Sequence, residues 1–395
     1  MRRLLKWIVS TLYGLVMIEV LIMVSPFAFY WYSLYAPTLE TLHRSKATAW
    51  MEAFFLPHAV ITTSPLLEFL RWQVGAYCFS LGILVFLFTA IQLYSVKLFR
   101  RSMVNSWLYA RIRHPQYLCL AIAGFGLLTI WPRIIILILY LGMLFAYYFL
   151  ARFEEKNEEA RHPEYADYRR RTAMFIPCNP GGKLFRLFFA WIPKRGWAVT
   201  ASTVAVTVIV IGGGLLLRRY TIAHASKTAL PGEPMLAISV WPMPAQSMRD
   251  VVSAALADSH VQSALAKEGV AAFTAHLLPA NYGMTAMFAD PGGSHRMFKR
   301  IAPRRFEYLV HFILPFTDPH RRNEIMGSPE DRYRVVFSRV DGPGQAPISV
   351  ARVTGLGAKM TPVVIADVDG GAPRVEQVTF PPRRSFWGDI TMPMF

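Results

Sequence analysis

The chain has 395 residues, 54% of them hydrophobic, and carries 42 Lys+Arg against 25 Asp+Glu, a formal net charge of +17. A chain this apolar is not one water-soluble domain, and one this charged does not lie wholly in lipid, so it must divide. From Pro231 onward there are 17 basic and 15 acidic residues, leaving 25 and 10 before it. The excess charge belongs to the apolar half, where it reports topology and anionic headgroups rather than nucleic acid.

The first element is "MRRLLKWIVSTLYGLVMIEVLIM", whose apolar stretch continues into "FAFYWYSLY" with no cleavage signature. It reads as an uncleaved span from Trp7 to about Phe29. Glu19 falls near its middle, an expensive place for a carboxyl group. Further apolar runs occupy Val74 to Val96, Tyr117 to Trp131, Ile134 to Leu150 and Trp197 to Leu217. The expected fold is therefore an all-α polytopic membrane domain of about five transmembrane helices over residues 1–220. A linker over 221–232 and a soluble α+β domain over 233–395 follow.

Basic residues cluster before the first span, between the second and third, and densely from Arg152 to Arg195. The positive-inside rule places all three on the cytoplasmic side, and the odd span count then sends the C-terminal domain outside. Arg218 and Arg219 oppose this arrangement. The expected location is a bacterial plasma membrane. "KLFRLFFAWIPKRGW" interleaves Leu184, Phe185, Leu187, Phe188 and Phe189 with Lys183, Arg186, Lys194 and Arg195, which suits a helix lying in the interface.

Beyond Glu233, the runs "MLAISVW", "GMTAMFA", "EYLVHFILPF", "RYRVVFSRV" and "TPVVIADV" predict strands. "MRDVVSAALADSHVQSALAKEGVAAFTAHL" predicts one long helical stretch. "DGPGQAP" and "DGGAP" read as turns, and "PPRRSFWGDITMPMF" as an irregular tail. There is no nucleotide-binding glycine loop and no nucleophile elbow. Cys78, Cys119 and Cys178 have no metal-ligand or disulfide spacing, so no metal is expected. The charged loops "SHRMFKR" and "DPHRRNE" receive no role.

Two pentapeptides look alike: "RHPQY" at Arg113 to Tyr117 and "RHPEY" at Arg161 to Tyr165. Their flanks differ completely, the first running into an apolar helix and the second lying among charges, so they are not a structural repeat. Pro115 suits the first turn of the third span and puts Arg113 and His114 at the mouth of a helix N-terminus. "WPR" at Trp131 to Arg133 then reverses the chain, because about 16 residues lead out and about 17 lead back at roughly 1.5 Å each. The returning hairpin brings "RFEEKNEE" beside "RHPQY", so that Glu154 and Glu155 meet a guanidinium and an imidazole at the inner membrane surface. Glu158 and Glu159 read as a solvated helix end.

These residues resemble, in order and spacing, the isoprenylcysteine carboxyl methyltransferase and phospholipid methyltransferase family of integral membrane enzymes. The matching positions are Arg113, His114, Pro115 and Tyr117, then Glu154 and Glu155, then Tyr165 and Tyr168, Arg169 to Arg171, and Pro177. The resemblance covers roughly residues 104–177. It departs at Cys119, where the family commonly has glycine, and at His162 and Pro163, where the family has no histidine.

What the resemblance implies is an S-adenosylmethionine-dependent methyltransferase acting on a membrane-embedded lipid or prenylated acceptor. It would bind its cofactor from the cytoplasm through Arg113, His114, Tyr117, Glu154, Glu155, Tyr165 and Tyr168. Arg113 and Glu155 are the expected catalytic pair, and "RHPEY" is expected to be a helix break without chemistry. Physically, the cofactor's carboxylate suits Arg113 or the helix N-terminus, its ammonium suits Glu154 or Glu155, and its sulfonium tolerates aromatic faces. Two other readings stay open. One is an NADPH-dependent membrane reductase of sterol-reductase-like layout, and the other is a non-catalytic anchor for the exported domain acting as a sensor or assembly factor.

Overall fold

The computed structural model describes residues 2–24, 41–56, 63–98, 104, 106–130, 132–161, 163–280, 332–372 and 374–381. The chain divides into two compact units. One consists of Met1–Ile18, Val74–Ile130 and Ile136–Leu215; the other of Glu19–Gln73, Trp131–Ile135 and Leu216–Phe395. Neither is a single run of chain.

The helical unit is built on α1 (Arg2–Val24), α3 (Gly75–Leu98), α4 (Pro115–Ile130), α5 (Ile134–Arg161), α6 (Tyr165–Arg171), α7 (Pro180–Phe189) and α8 (Arg195–Ala223). A short helix α2 (Pro65–Phe69) runs through one wide turn, Leu70–Val74, into α3. Among the described residues, Gly75–Val96, Ile134–Arg161 and Arg195–Ala223 are long and apolar enough to cross a membrane, and Pro115–Thr129 is a shorter apolar helix. This is a membrane-associated helical domain joined to a sheet domain. The expected end of the first span at Phe29 lies outside the described residues.

The α3–α4 contact explains two glycines. A Cβ on Gly82 would meet the Ala123 amide nitrogen at 2.7 Å and the Cys119 carbonyl oxygen at 2.8 Å. On Gly126 it would meet the Phe79 amide nitrogen and, at 2.6 Å, the Gly75 carbonyl oxygen. Backbones this close require glycine. Thus Gly82 and Gly126 provide the close approach, while Cys119 is simply buried beside it. Val9 of α1 packs with Met143, Ala146 and Tyr147 of α5, and Tyr117 and Leu120 of α4 flank this cluster.

In the second unit the strands are β1 (Ser226–Ala229), β2 (Met235–Ser239), β3 (Ala272–Pro279), β4 (Arg332–Gly342), β5 (Ala346–Pro347), β6 (Lys359–Asp369) and β7 (Arg374–Thr379). They form one mixed sheet in the order β1-β2-β3-β4-β6-β7, with β5 beside β4. Among the described strands only β2 and β3 run parallel, as expected for strands joined through helices, here α9 (Ala245–Leu256) and α10 (Ser259–Ala266). Met248, Val251, Val252 and Ala255 of α9 and Val261 and Ala264 of α10 share a core with Ala237, Phe273, Ala275, Val335, Phe337 and Val364. Asp258 caps α10 by accepting hydrogen bonds from the amides of His260 and Val261.

The α+β expectation holds: "MLAISVW" contains β2, and "RYRVVFSRV" and "TPVVIADV" lie within β4 and β6. One correction is needed: the single long helix is two, α9 and α10, broken at Ala257 and Asp258, and "AFTAHLLP" is β3, buried at every position. A run with no alternation reads equally well as buried helix or strand. The segment 221–232 contains the end of α8 and β1. The calls "GMTAMFA", "EYLVHFILPF" and the tail after Pro381 lie outside the described residues, as do "SHRMFKR" and "DPHRRNE".

Two arginines at the edges of the apolar runs, Arg218 and Arg133, are packed into this second unit. The Arg218 guanidinium is buried and donates to the carbonyls of Thr354 at 2.8 Å and Gly355 at 3.3 Å. Arg133, also buried, lies 5.2 Å over the Phe54 ring in the segment that pairs with the α4–α5 turn. Arg218 therefore does not weigh against the orientation inferred from the basic clusters, because it is held by carbonyls rather than by solvent or headgroups.

Candidate functional site

The mouth forms because Pro115 opens α4 and the 16-residue helix ends at Ile130, shortly before α5 begins at Ile134. The α5 helix does not stop at Leu150 but runs 28 residues to Arg161. Glu154 and Glu155 consequently stand on a rigid helix rather than on a loop beyond it. A short parallel bridge, Ile112 to Ala173, brings the chain after α6 alongside "RHPQY".

Arg113 is engaged through its Nε and Nη1. Its Nε donates to Glu155 Oε1 at 2.6 Å, and its Nη1 donates to the carbonyls of Arg169 at 3.0 Å and of Thr172. Its own amide donates to the Ala173 carbonyl at 2.8 Å, and that of His114 donates to the Met174 carbonyl at 3.1 Å. Side-chain exposure is 10% for Arg113 and 5% for Glu155. These two residues, expected as the catalytic pair, are brought together, but as partners of one another. The pair fastens α4, α5 and residues 169–174 to one another, and neither backbone amide is left to greet an anion.

His114 stands on the other side of that pair, with Nε2 3.5 Å from Glu155 Oε1 and Nδ1 3.8 Å from Glu154 Oε2. These distances allow charge attraction, yet Nε2 is buried without a hydrogen-bond partner. Glu154 is the more open carboxylate at 22% side-chain exposure, and Lys6 of α1 reaches to 3.9 Å from it.

An aromatic ladder leads from the imidazole into the helices. His114 stacks on Tyr117 with centroids 5.6 Å apart, and Tyr117 stacks on Tyr147 at 5.0 Å, each pair tilted by only 13°. Phe175 closes on His114 at 6.0 Å. Tyr147, Phe175 and Lys6 were not singled out from the sequence. Tyr147 had a usable signal, since it precedes Glu154 and Glu155 by seven and eight residues and so shares their helix face. Phe175 had none, because only the 112–173 bridge brings it to the mouth.

Tyr165 and Tyr168 lie on the Arg113 side. Tyr165 is buried, its ring 5.7 Å from that of Tyr168, and burial reinforced by the nearby Glu155 charge drives its hydroxyl well above the ordinary phenol range. Burial also pushes Tyr168 up to about 12. Tyr168 donates its hydroxyl to the Tyr109 carbonyl at 2.6 Å. "RHPEY" is a break between helices: α5 ends at Arg161 and α6 starts at Tyr165. His162 lies outside the described residues. Among the described residues no cluster of His, Cys, Asp or Glu has the arrangement of a metal site.

Comparisons of the chain with family models, with characterised proteins and with solved structures return no match.

Proposed function

We propose that this protein is an integral membrane S-adenosylmethionine-dependent methyltransferase acting on a lipid or prenylated acceptor. The observation that supports this best is His114: a buried imidazole nitrogen without a hydrogen-bond partner, between two carboxylates and at the head of an aromatic ladder. The residues fit the cofactor's chemistry. Glu154 suits its ammonium, Lys6 its carboxylate, and His114 Nε2 a polar atom of the ligand. The ring faces of Tyr117 and Tyr147 suit a cation. When bound, the cofactor supplies an electrophilic methyl group.

The chain's own contribution is orientation and exclusion of water. Arg113 and Glu155 hold the walls in place, and the half-buried ladder ending on the buried Tyr147 limits water at the reacting centre, which is sufficient for an in-line displacement. Arg113 is accordingly a positioning residue in this reading. The protein would sit in the membrane with about five spans. The mouth would be cytoplasmic, and residues 233–395 would lie outside, handling or sensing the acceptor from across the bilayer.

Calorimetry on the detergent-solubilised full chain tests the reading. S-adenosylmethionine should bind saturably and NADPH should not. Saturable NADPH binding with none for S-adenosylmethionine would favour the reductase, and binding of neither would favour the anchored sensor.

A further inference from the structure

We infer that α7 and the basic residues around it dock on the anionic phospholipid face of the bilayer that holds the helical unit. The inference starts from burial: none of the ten residues of α7 is buried. Leu184, Leu187, Phe188 and Trp191 are 56%, 72%, 59% and 78% exposed. Leu184, Leu187 and Phe188, spaced by three and four residues, make one apolar stripe on the helix, and Trp191 stands in the turn just beyond it. Phe185 and Phe189 face the other way, half-buried, with rings 5.8 Å apart.

This helix is a built element rather than a loop turn. Pro180 stands in its first turn, and the Asn179 side chain accepts a hydrogen bond from the Gly182 amide at 3.0 Å. Such a local fold, with a large outward apolar stripe and nothing packed on it, is unstable against water but suited to the boundary of headgroups and acyl chains.

Charge selects the partner. No acidic residue occurs between Asp167 and Glu233, whereas Arg169, Arg170, Arg171, Lys183, Arg186, Lys194 and Arg195 all fall in the first part of that interval. Lys183, Arg186, Lys194 and Arg195 flank the stripe directly and are exposed. A surface pairing apolar residues with uncompensated positive charge matches anionic lipid, to which each Lys or Arg near the surface adds attraction. A second copy of this chain would bring its own positive charge and be repelled. This docking does not depend on methyl transfer.

The test uses the full chain in nanodiscs of phosphatidylcholine alone or with about 30% phosphatidylglycerol, reading amide hydrogen exchange over residues 183–191. Exchange should slow about tenfold or more in the anionic discs, and about 0.5 M NaCl should reverse much of this. The quadruple change Lys183→Gln, Arg186→Gln, Lys194→Gln and Arg195→Gln should abolish the lipid dependence. Leu187→Ala with Phe188→Ala should speed exchange in anionic discs while leaving the melting midpoint unchanged, because neither side chain is buried. Equal exchange in the two lipids would overturn the inference. So would protection that appears only with two copies per disc, since a second copy would then be covering the stripe.

Discussion

The two units differ in how deeply they bury their ion pairs. In the helical unit the buried charge is compensated: Arg113 and Glu155 hold each other at 2.6 Å, and His114 lies against the carboxylates. In the sheet unit the ion pairs stay partly exposed, as with Arg334 and Asp367 at 2.6 Å. Its fully buried polar groups, Thr274, His276 and Ser338, have side-chain atoms with no hydrogen-bond partner. Thr274 and Ser338 face one another across the β3–β4 register. A paired buried charge holds elements in one geometry, and it is costly to break. An unpartnered neutral group is a standing cost that an apolar residue can relieve.

The largest expected effect comes from breaking the paired charge. Arg113→Ala should destabilise the protein by about 3–5 kcal/mol, because it strands a buried carboxylate and frees the carbonyls of Arg169 and Thr172. Arg113→Ala with Glu155→Leu should recover part of that loss. Thermal denaturation of the two variants in the same detergent decides it, and a double variant no more stable than the single one would remove the pairing account.

The next effect is acid sensitivity of the sheet unit. Burial drives His276 down to about 3, so the folded chain keeps this imidazole neutral where the unfolded chain takes up a proton. Its contribution is present above about pH 6.5 and is lost as pH falls toward 3, at roughly 1.4 kcal/mol per pH unit. Denaturant midpoints measured between these limits should show that slope, and His276→Phe should flatten it and raise stability at neutral pH. An unchanged slope in His276→Phe would assign the acid sensitivity elsewhere.

Smaller still is the effect expected at the mouth. His114→Ala should weaken S-adenosylmethionine at least about tenfold, equivalent to about 1.4 kcal/mol, with little change in melting temperature. The smallest effect belongs to the other pentapeptide: His162→Ala should change the affinity by less than about twofold, within about 0.5 kcal/mol. A greater loss at His162 than at His114 would show that the chemistry belongs to "RHPEY".

The sequence was most readable where punctuation and periodicity agree. Pro115 opening α4, the reversal before Ile134 and the meeting of Glu154 and Glu155 with Arg113 and His114 were all legible from spacing. The hold on Arg113 Nη1 was not, because its partners are the carbonyls of Arg169 and Thr172, and a carbonyl leaves no mark in a residue code. The same reason hid Arg218, which looked like a charge for solvent and is bound to the carbonyls of Thr354 and Gly355. The β3 strand was misread because a strand buried on both faces loses the alternation that identifies it.

The length of α5 has a consequence for where the mouth can sit. At about 1.5 Å per residue, the uncharged stretch from Ile134 to Ala151 reaches about 27 Å, slightly less than the roughly 30 Å of a typical hydrocarbon layer. Arg152 begins the polar part of the same unbroken helix, so Glu154 and Glu155 cannot adjust their depth separately from it. Bilayer thickness thus becomes a setting for the mouth. A thicker hydrocarbon layer draws both carboxylates toward the acyl chains, and a thinner one lifts them into water.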